Sequence, residues 1–381
     1  MDKIHGFNFS NIYSVSELIE TLKSLGVNEK DYWLYYGLYQ ERIAREKCIP
    51  LSGTFELTPL CNLDCKMCYV HLDSDQLNEI DLLTVAQWKE IMTQAHSMGM
   101  LNATLTGGEC LMYPGFDDIY IFLRTLGIKA SIKTNGLLLT KDRIDFFNDY
   151  PPRSLSISLY GSSNETYQNV TGHAVFDYVY NNLLQLKEVP YPVSISITPS
   201  LYMYSDMEQI IDLVKRIKIP FSINIMLIPP RKETGRQLCD LSIDQYAKIF
   251  KMVMKDKYSN VAPIEQYEAY DYKMNENAVI RCGAGRSCFT VEWNGLLTSC
   301  SNLNSMKIDL LHNDFTSSWR KINLDTKSFA YPYECLDCKY DKICYNCVAY
   351  RCNGAPKGHC NRNVCERTKL FIQEGIYPYI I

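Results

Sequence analysis

The sequence predicts an α/β protein: a partial, TIM-like (β/α)6 barrel with an N-terminal helical extension and a cysteine-rich C-terminal domain. Three observations lead there. Between residues 54 and 256, short strand-like runs alternate with longer amphipathic ones, the order that builds parallel strands with right-handed crossovers. Glycines and polar groups recur just after the strand-like runs, where such folds keep their function. Ten of the sixteen cysteines lie after residue 281, so composition changes near residue 280. The expected divisions are a helical extension (1–50), the barrel (51–235), a linking helical region (236–281) and the cysteine-rich unit (282–381).

The elements follow in order. SVSELIETLKSLGV (14–27) sets Leu18, Ile19, Leu22 and Leu25 at helical spacing, with Ser14 and Ser16 as possible caps and Gly26 as a stop. A second helix is expected from Asn28 to about Lys47, with Tyr32, Leu34, Tyr35 and Leu38 able to pack on a neighbour. Strands are expected at 54–58, 102–106, 128–134, 154–159, 193–198 and 221–227. Helices fall near 84–98, 117–126, 141–149, 175–187, 206–216 and 242–256. Six units are short of the eight that close a full barrel, so an open-sided one is predicted.

Bulk properties narrow the function. The net charge of -4 argues against a broad nucleic-acid-binding face. No run approaches the ~20 apolar residues that span a bilayer. MDKIHGFNFSNIYSV lacks a signal-peptide core, so the expected location is cytoplasmic. In a reducing compartment, cysteines at short repeated spacings read as metal ligands before disulfides.

The first such group is LTPLCNLDCKMCYVHL (57–72), in which Cys61, Cys65 and Cys68 stand just after the first strand. Three thiolates can hold three corners of a [4Fe–4S] cluster and leave the fourth iron open. Zinc completed by a remote residue is the alternative, with His71 near enough to tempt it. GGE (107–109) follows the second strand, KTNG (133–136) the third and SLYG (158–161) the fourth. Two glycines permit close backbone approach, and a carboxylate suits an ammonium.

With these motifs the chain resembles the radical S-adenosylmethionine (SAM) enzymes. In that family the cysteine triplet carries this spacing, with an apolar residue at the place of Met67 and often an aromatic at Tyr69. The resemblance implies that Cys61, Cys65 and Cys68 hold the cluster whose open iron chelates SAM. One electron, from a donor such as flavodoxin or ferredoxin, then yields a 5′-deoxyadenosyl radical. Gly107, Gly108 and Glu109 would bind the methionyl amino group and Ser158 the ribose, with Thr134 and Asn135 lining the same pocket. The family usually has proline after GGE; Cys110 stands there, as a small buried residue.

The second cysteine array reads CGAGRSCFTVEWNGLLTSC (282–300), then CLDCKYDKICYNC (335–347), then Cys365. By spacing alone it suits either zinc or iron–sulfur clusters. It resembles the SPASM extension of radical SAM enzymes, through CGAGRS and the Gly295-to-Cys300 spacing. That resemblance implies two auxiliary [4Fe–4S] clusters, three in all. One would take Cys282, Cys288, Cys300 and Cys347, the other Cys335, Cys338, Cys344 and Cys365. Many members have three residues between the cysteines matching Cys344 and Cys347; here there are two, which leaves Cys352 as the alternative to Cys347. Cys48, Cys110, Cys239 and Cys360 are left over; a spare thiol could donate hydrogen to a substrate radical, or be structural.

The resemblance further implies a peptide or protein substrate. Sulfatase-maturing members carry an aspartate after the residue matching Cys300, whereas Ser301 is a poor base, so no side-chain base is assigned. The expected product is a thioether or carbon–carbon crosslink in a ribosomal peptide. The alternatives are side-chain oxidation, epimerisation, dehydrogenation of a small molecule, or a non-enzymatic zinc scaffold. Residues 1–50 are too short for a full winged-helix leader-binding domain, so a separate leader-binding protein is a further possible partner.

Overall fold

The structure, a computed structural model, describes residues 12–70, 72, 74–78, 80–224, 227, 239–263, 282–303, 305–329, 332–340, 344, 347–352, 355–356 and 358–378. Six parallel strands form the barrel: β1 (Ser52–Glu56), β2 (Asn102–Thr106), β3 (Lys129–Thr134), β4 (Ser154–Ser158), β5 (Val193–Ile197) and β6 (Phe221–Ile223). Each pairs with the next in sequence. β7 (Val261–Pro263) pairs with β11 (Ile376–Pro378) in a separate two-stranded sheet. β8 (Cys288–Val291) lies parallel on the free side of β1, and β9 (Leu296–Thr298) and β10 (Lys307–Asp309) continue antiparallel. The result is one nine-stranded sheet, β10-β9-β8-β1-β2-β3-β4-β5-β6, with no ladder among the described residues from β6 back to β10. The barrel is therefore open, as the count of units requires.

Two-residue alternation explains which way each strand faces. Phe55, Leu105, Ile132, Leu155 and Ile195 are fully buried on the helix-covered side. Burial of such side chains is worth ~1.5–3 kcal/mol each. Phe55 meets Trp88 and Phe289 edge-on, with ring centroids 5.9 and 5.8 Å away, which locks β8 onto β1. Between these residues stand Thr54, Thr104, Ser131, Ser156 and Ser194, only partly buried, so the inner face is small and polar. A full barrel core would fill that space with branched apolar side chains; here short hydroxyl side chains line it.

The helices start where their caps are. Thr84 and Ser242 form capping boxes with Gln87 and Gln245 at the heads of helices Val85–Ser97 and Ile243–Val253. The N-terminal hairpin, α1 (Val15–Ser24) and α2 (Tyr32–Lys47), has its own small core of Ile12, Leu18, Leu22, Tyr35 and Tyr39. Leu25, expected among the apolar positions of α1, instead caps its end and is exposed. The hairpin is tied to the cysteine-rich unit, since Glu41 accepts from Ser287 Oγ at 2.5 Å and from Arg45 Nε at 2.8 Å.

The first strand runs 52–56 where 54–58 was expected, because Thr58 turns its carbonyl toward Gly108. The sixth ends at Ile223; residues 225 and 226 of its expected span lie outside the described residues. Helices Ser74–Asn78, Asn164–Thr171, Phe315–Lys327, Val348–Cys352 and Arg362–Gln373 were not anticipated; Ser163 caps the start of Asn164–Thr171.

Candidate active site

The three-cysteine loop leaves β1 and is held from two sides. On one side lies the GGE turn. Gly108 N donates to Thr58 O at 2.7 Å and Glu109 N to Leu60 O at 2.8 Å. A Cβ on Gly107 would stand 2.3 Å from Thr58 O, and one on Gly108 would stand 2.4 Å from Leu60 O. Gly107 also has φ +145°, open in practice only to glycine. The close approach that these glycines permit is thus made by the chain's own backbone. On the other side, Asp64 N and Lys66 N donate to Thr171 O and Val170 O, both at 2.9 Å. Lys66 Nζ reaches Asn169 Oδ1 at 3.0 Å. Helix Asn164–Thr171 is this second brace.

Glu109 is fully buried. Its Oε1 accepts from Thr134 Oγ1 at 2.9 Å and Leu111 N at 3.1 Å, and its Oε2 from Asn135 N at 2.7 Å. Burial raises its pKa, against these hydrogen bonds, which favour the carboxylate. The carboxylate therefore fastens the end of β3 to the GGE turn. Asn135, so held, donates from Nδ2 to Asn62 Oδ1 at 2.7 Å and to Cys61 Sγ at 3.6 Å. Tyr160 hydrogen-bonds the Cys65 thiol, and its phenol is joined to Ser158. Met67 packs against the main core. Cys110 is fully buried, its thiol 3.3 Å from Lys133 O.

Burial pushes the Cys61 thiol up to about 11, with Glu109 and Cys68 adding to the rise. Cys65 is pushed well above its usual value by burial, then by Cys68 and Cys61. Three mutually repelling thiolates need a cation or a cationic cluster among them. The same holds in the C-terminal unit. Burial raises Cys288 and Cys347 to about 12; Cys288 senses Cys282, and Cys347 senses Cys282 and Cys300. A second group gathers Cys335, Cys344, Cys360 and Cys365: Cys335 senses Cys344 and Cys365, and the Cys360 thiol hydrogen-bonds both Cys335 and Cys365. Cys338 N donates to Cys335 O at 3.3 Å. The Cys352 side chain and His71 lie outside the described residues. Among the described residues no three His, Cys, Asp or Glu side chains close on one metal ion. Cubane ligands bind separate irons and need not.

Residues 55–237 match the family described as the Radical SAM superfamily. The barrel is a radical SAM domain. Two sequence relatives come from Bacillus subtilis (strain 168). Sporulation killing factor maturation protein SkfB is 23% identical over 66% of this chain and 60% of its own length. Antilisterial bacteriocin subtilosin biosynthesis protein AlbA is 22% identical over 66% and 55%. The chain thus spans less than two thirds of either relative. AdoMet-dependent heme synthase of Methanosarcina barkeri (strain Fusaro / DSM 804) is 22% identical over 79% of this chain and 91% of its own. Among solved structures, Streptococcus suis SuiB bound to precursor peptide SuiA superposes with TM-score 0.65 at 17% identity, covering 92% of this chain and 89% of that one. Native anSMEcpe with bound AdoMet gives 0.66 at 17% identity, over 85% and 96%. These superpositions establish the shared fold.

Radical SAM domains carry a [4Fe–4S] cluster and SAM, and the three-thiol loop beside a hydrogen-bonding rim fits both. The loop also packs onward into the cysteine-rich unit: Val70, Leu72 and Trp293 form one buried cluster with Cys68 and Tyr69 against it. Sequence reasoning missed Tyr160, the brace at 169–171 and the position of Cys360. A phenol two residues after Ser158 was legible as part of SLYG, but nothing in spacing told it from core. Cys48 is left-handed at the end of α2, its carbonyl accepting from Trp319 Nε1 at 2.8 Å, and Cys239 is buried. Ser301 shares a hydrogen bond with Thr290 Oγ1 at 3.2 Å.

Proposed function

We propose that the protein is a radical SAM peptide-modifying enzyme, abstracting hydrogen from a residue of a ribosomal peptide to form a thioether or carbon–carbon crosslink. The observation that carries this reading is the relation to SkfB and AlbA, named for maturation of a sporulation killing factor and for biosynthesis of the bacteriocin subtilosin. The fold shared with SuiB, a protein solved with its precursor peptide, supports it. The small, polar side chains of the inner face suit a peptide segment and support the reading.

The cluster and SAM, when bound, supply an adenosyl radical. The chain's residues do the rest. Cys61, Cys65 and Cys68 hold the cluster; Gly107, Gly108 and Glu109 set the rim that receives SAM, with Asn135 and Ser158 beside it. Two auxiliary [4Fe–4S] clusters accept the electron left after crosslinking or hold a substrate thiolate. The mutual effect of Cys282, Cys300 and Cys347 supports Cys347 over Cys352 in the first. The second takes Cys335, Cys338, Cys344 and Cys365, with Cys360 beside them as a reserve thiol. A flavodoxin or ferredoxin supplies the reducing electron, and a separate protein presents the leader.

The relation to AdoMet-dependent heme synthase favours a second reading, oxidation of a small molecule. One experiment separates the two. Anaerobic protein with SAM and dithionite is incubated with candidate Cys-rich precursor peptides encoded beside it. The proposed reading expects 5′-deoxyadenosine and a peptide lighter by a pair of hydrogens. Deoxyadenosine without any change in the peptides would remove the peptide assignment.

A further inference from the structure

The turn CGAGRSC (282–288) folds tightly on itself before β8 begins. Gly283 O accepts from Arg286 N, Ser287 N and Cys288 N at 2.9, 2.8 and 2.7 Å. A Cβ on Gly283 would meet Cys288 Sγ at 2.5 Å, Ser287 Oγ at 2.6 Å and Glu41 Oε1 at 2.9 Å. A sulfur, a hydroxyl and a carboxylate oxygen therefore crowd one side of this glycine, and the carboxylate comes from α2, 246 residues from the serine. The serine is fixed from behind, since Ser52 N at the start of β1 donates to Ser287 O at 3.0 Å. Its hydroxyl donates to Glu41 Oε1 at 2.5 Å and stands 3.8 Å from Cys288 Sγ. A hydroxyl has one proton, so the one given to the carboxylate is withheld from the sulfur. Arg45 Nε, one helical turn on, donates to the same Oε1 at 2.8 Å and holds the carboxylate in place. Of these two charges, the carboxylate is felt more strongly at Cys288. A nearby anion and a hydrogen bond turned away from the sulfur each disfavour an added electron on a cluster held there.

We propose that Glu41 is a positioning residue for the first auxiliary cluster, holding it at low reduction potential by its charge and by keeping the Ser287 hydroxyl off the Cys288 sulfur. This rests on the reading in which Cys282, Cys288, Cys300 and Cys347 hold that cluster. The N-terminal hairpin thereby sets a redox property of the cysteine-rich unit, and does more than pack against it.

The test is an EPR-monitored redox titration of the reconstituted full chain carrying Cys61→Ala, Cys65→Ala and Cys68→Ala, so that auxiliary signals alone remain. On that background Glu41→Ala should raise one auxiliary potential and leave the other unchanged. The expected rise is about tenfold in the reduced-to-oxidised ratio at a fixed poise, ~59 mV for one electron. Glu41→Gln, which keeps an acceptor for the serine but loses the charge, should give a smaller rise. Adding Ser287→Ala to Glu41→Ala should take back part of the rise, because the freed hydroxyl is gone. Glu46→Ala, at an exposed carboxylate of the same helix paired with Arg42, should move neither potential. Unmoved or lowered potentials in both Glu41 variants overturn the proposal, and so does an equal shift in Glu46→Ala. A rise that Ser287→Ala leaves intact overturns the route through the hydroxyl. If Glu41→Ala sheds its iron, Glu41→Gln decides alone. Background protein with no auxiliary signal would instead overturn the cluster assignment, so the two failures are distinguishable.

Discussion

Replacing Gly107 by alanine tests how the GGE turn and the cysteine loop depend on each other. The added Cβ would lie 2.3 Å from Thr58 O, where ordinary contact begins at 3.4 Å. The backbone conformation at φ +145° adds ~1–3 kcal/mol of strain for any side chain. Overpacking adds a further ~1–3 kcal/mol, and loss of the 2.7 Å bond from Gly108 N to Thr58 O costs ~1 kcal/mol. The sum, roughly 3–7 kcal/mol, is comparable with the whole stability of many domains. The control is Gly127→Ala, at φ +74° with nothing within 4 Å of the added atom, where strain acts alone. Thermal unfolding and iron retention would be followed for both. Gly107→Ala is expected to lose the loop's cluster and melt well below Gly127→Ala. Equal melting and equal iron in the two variants would refute the reasoning, because the backbone contact would then carry no load.

Two further outcomes follow from contacts around the thiols. Asn135→Ala removes the donor 3.6 Å from Cys61 Sγ, and hydrogen bonds to cluster sulfurs raise reduction potential. If ~1 kcal/mol of bonding is lost, the potential should fall by ~40 mV for one electron, read by EPR-monitored redox titration; an unmoved potential would mean the amide does not reach the bound sulfur. At the surface, Glu334 accepts from His359 Nδ1 at 2.7 Å and from Cys360 N at 3.2 Å, and the His359 bond chiefly lowers its pKa. A carboxyl held low contributes above its unfolded pKa and loses that contribution as pH falls through the lowered one. Protection of the Cys360 amide from hydrogen exchange, corrected for intrinsic rate, should therefore drop on the acid side in wild type and be flat with pH in Glu334→Gln, whose amide oxygen accepts without titrating. Matching profiles would tell against the contact.

Much of the barrel was legible because its strands state their faces. NATLT and SLSIS alternate residue by residue, and the structure reproduces those strands within a residue. What was not legible depended on long-range pairing. β8 joins β1 through Ser52 and Cys288, far apart in sequence, and no local pattern announces that partner. The change in composition near residue 280 therefore falls within one continuous sheet. NETYQNVT was too short and polar to read as a helix, yet its end carries the carbonyls that brace the cysteine loop. Glu109 shows the same limit. Its place in GGE pointed to an ammonium, but only the fold reveals that Thr134, Asn135 and Leu111 also donate to its oxygens. Cys360 was invisible for a related reason, since a thiol's neighbours are set by how the chain returns after Val348–Cys352.

The most direct measurement is iron, SAM cleavage and EPR on the triple variant Cys61→Ala, Cys65→Ala, Cys68→Ala. Wild type should hold about twelve irons, and the variant about eight. The variant should keep its auxiliary signals yet release no 5′-deoxyadenosine. Deoxyadenosine from a chain without those three thiols would place the cleaving iron elsewhere and contradict the account.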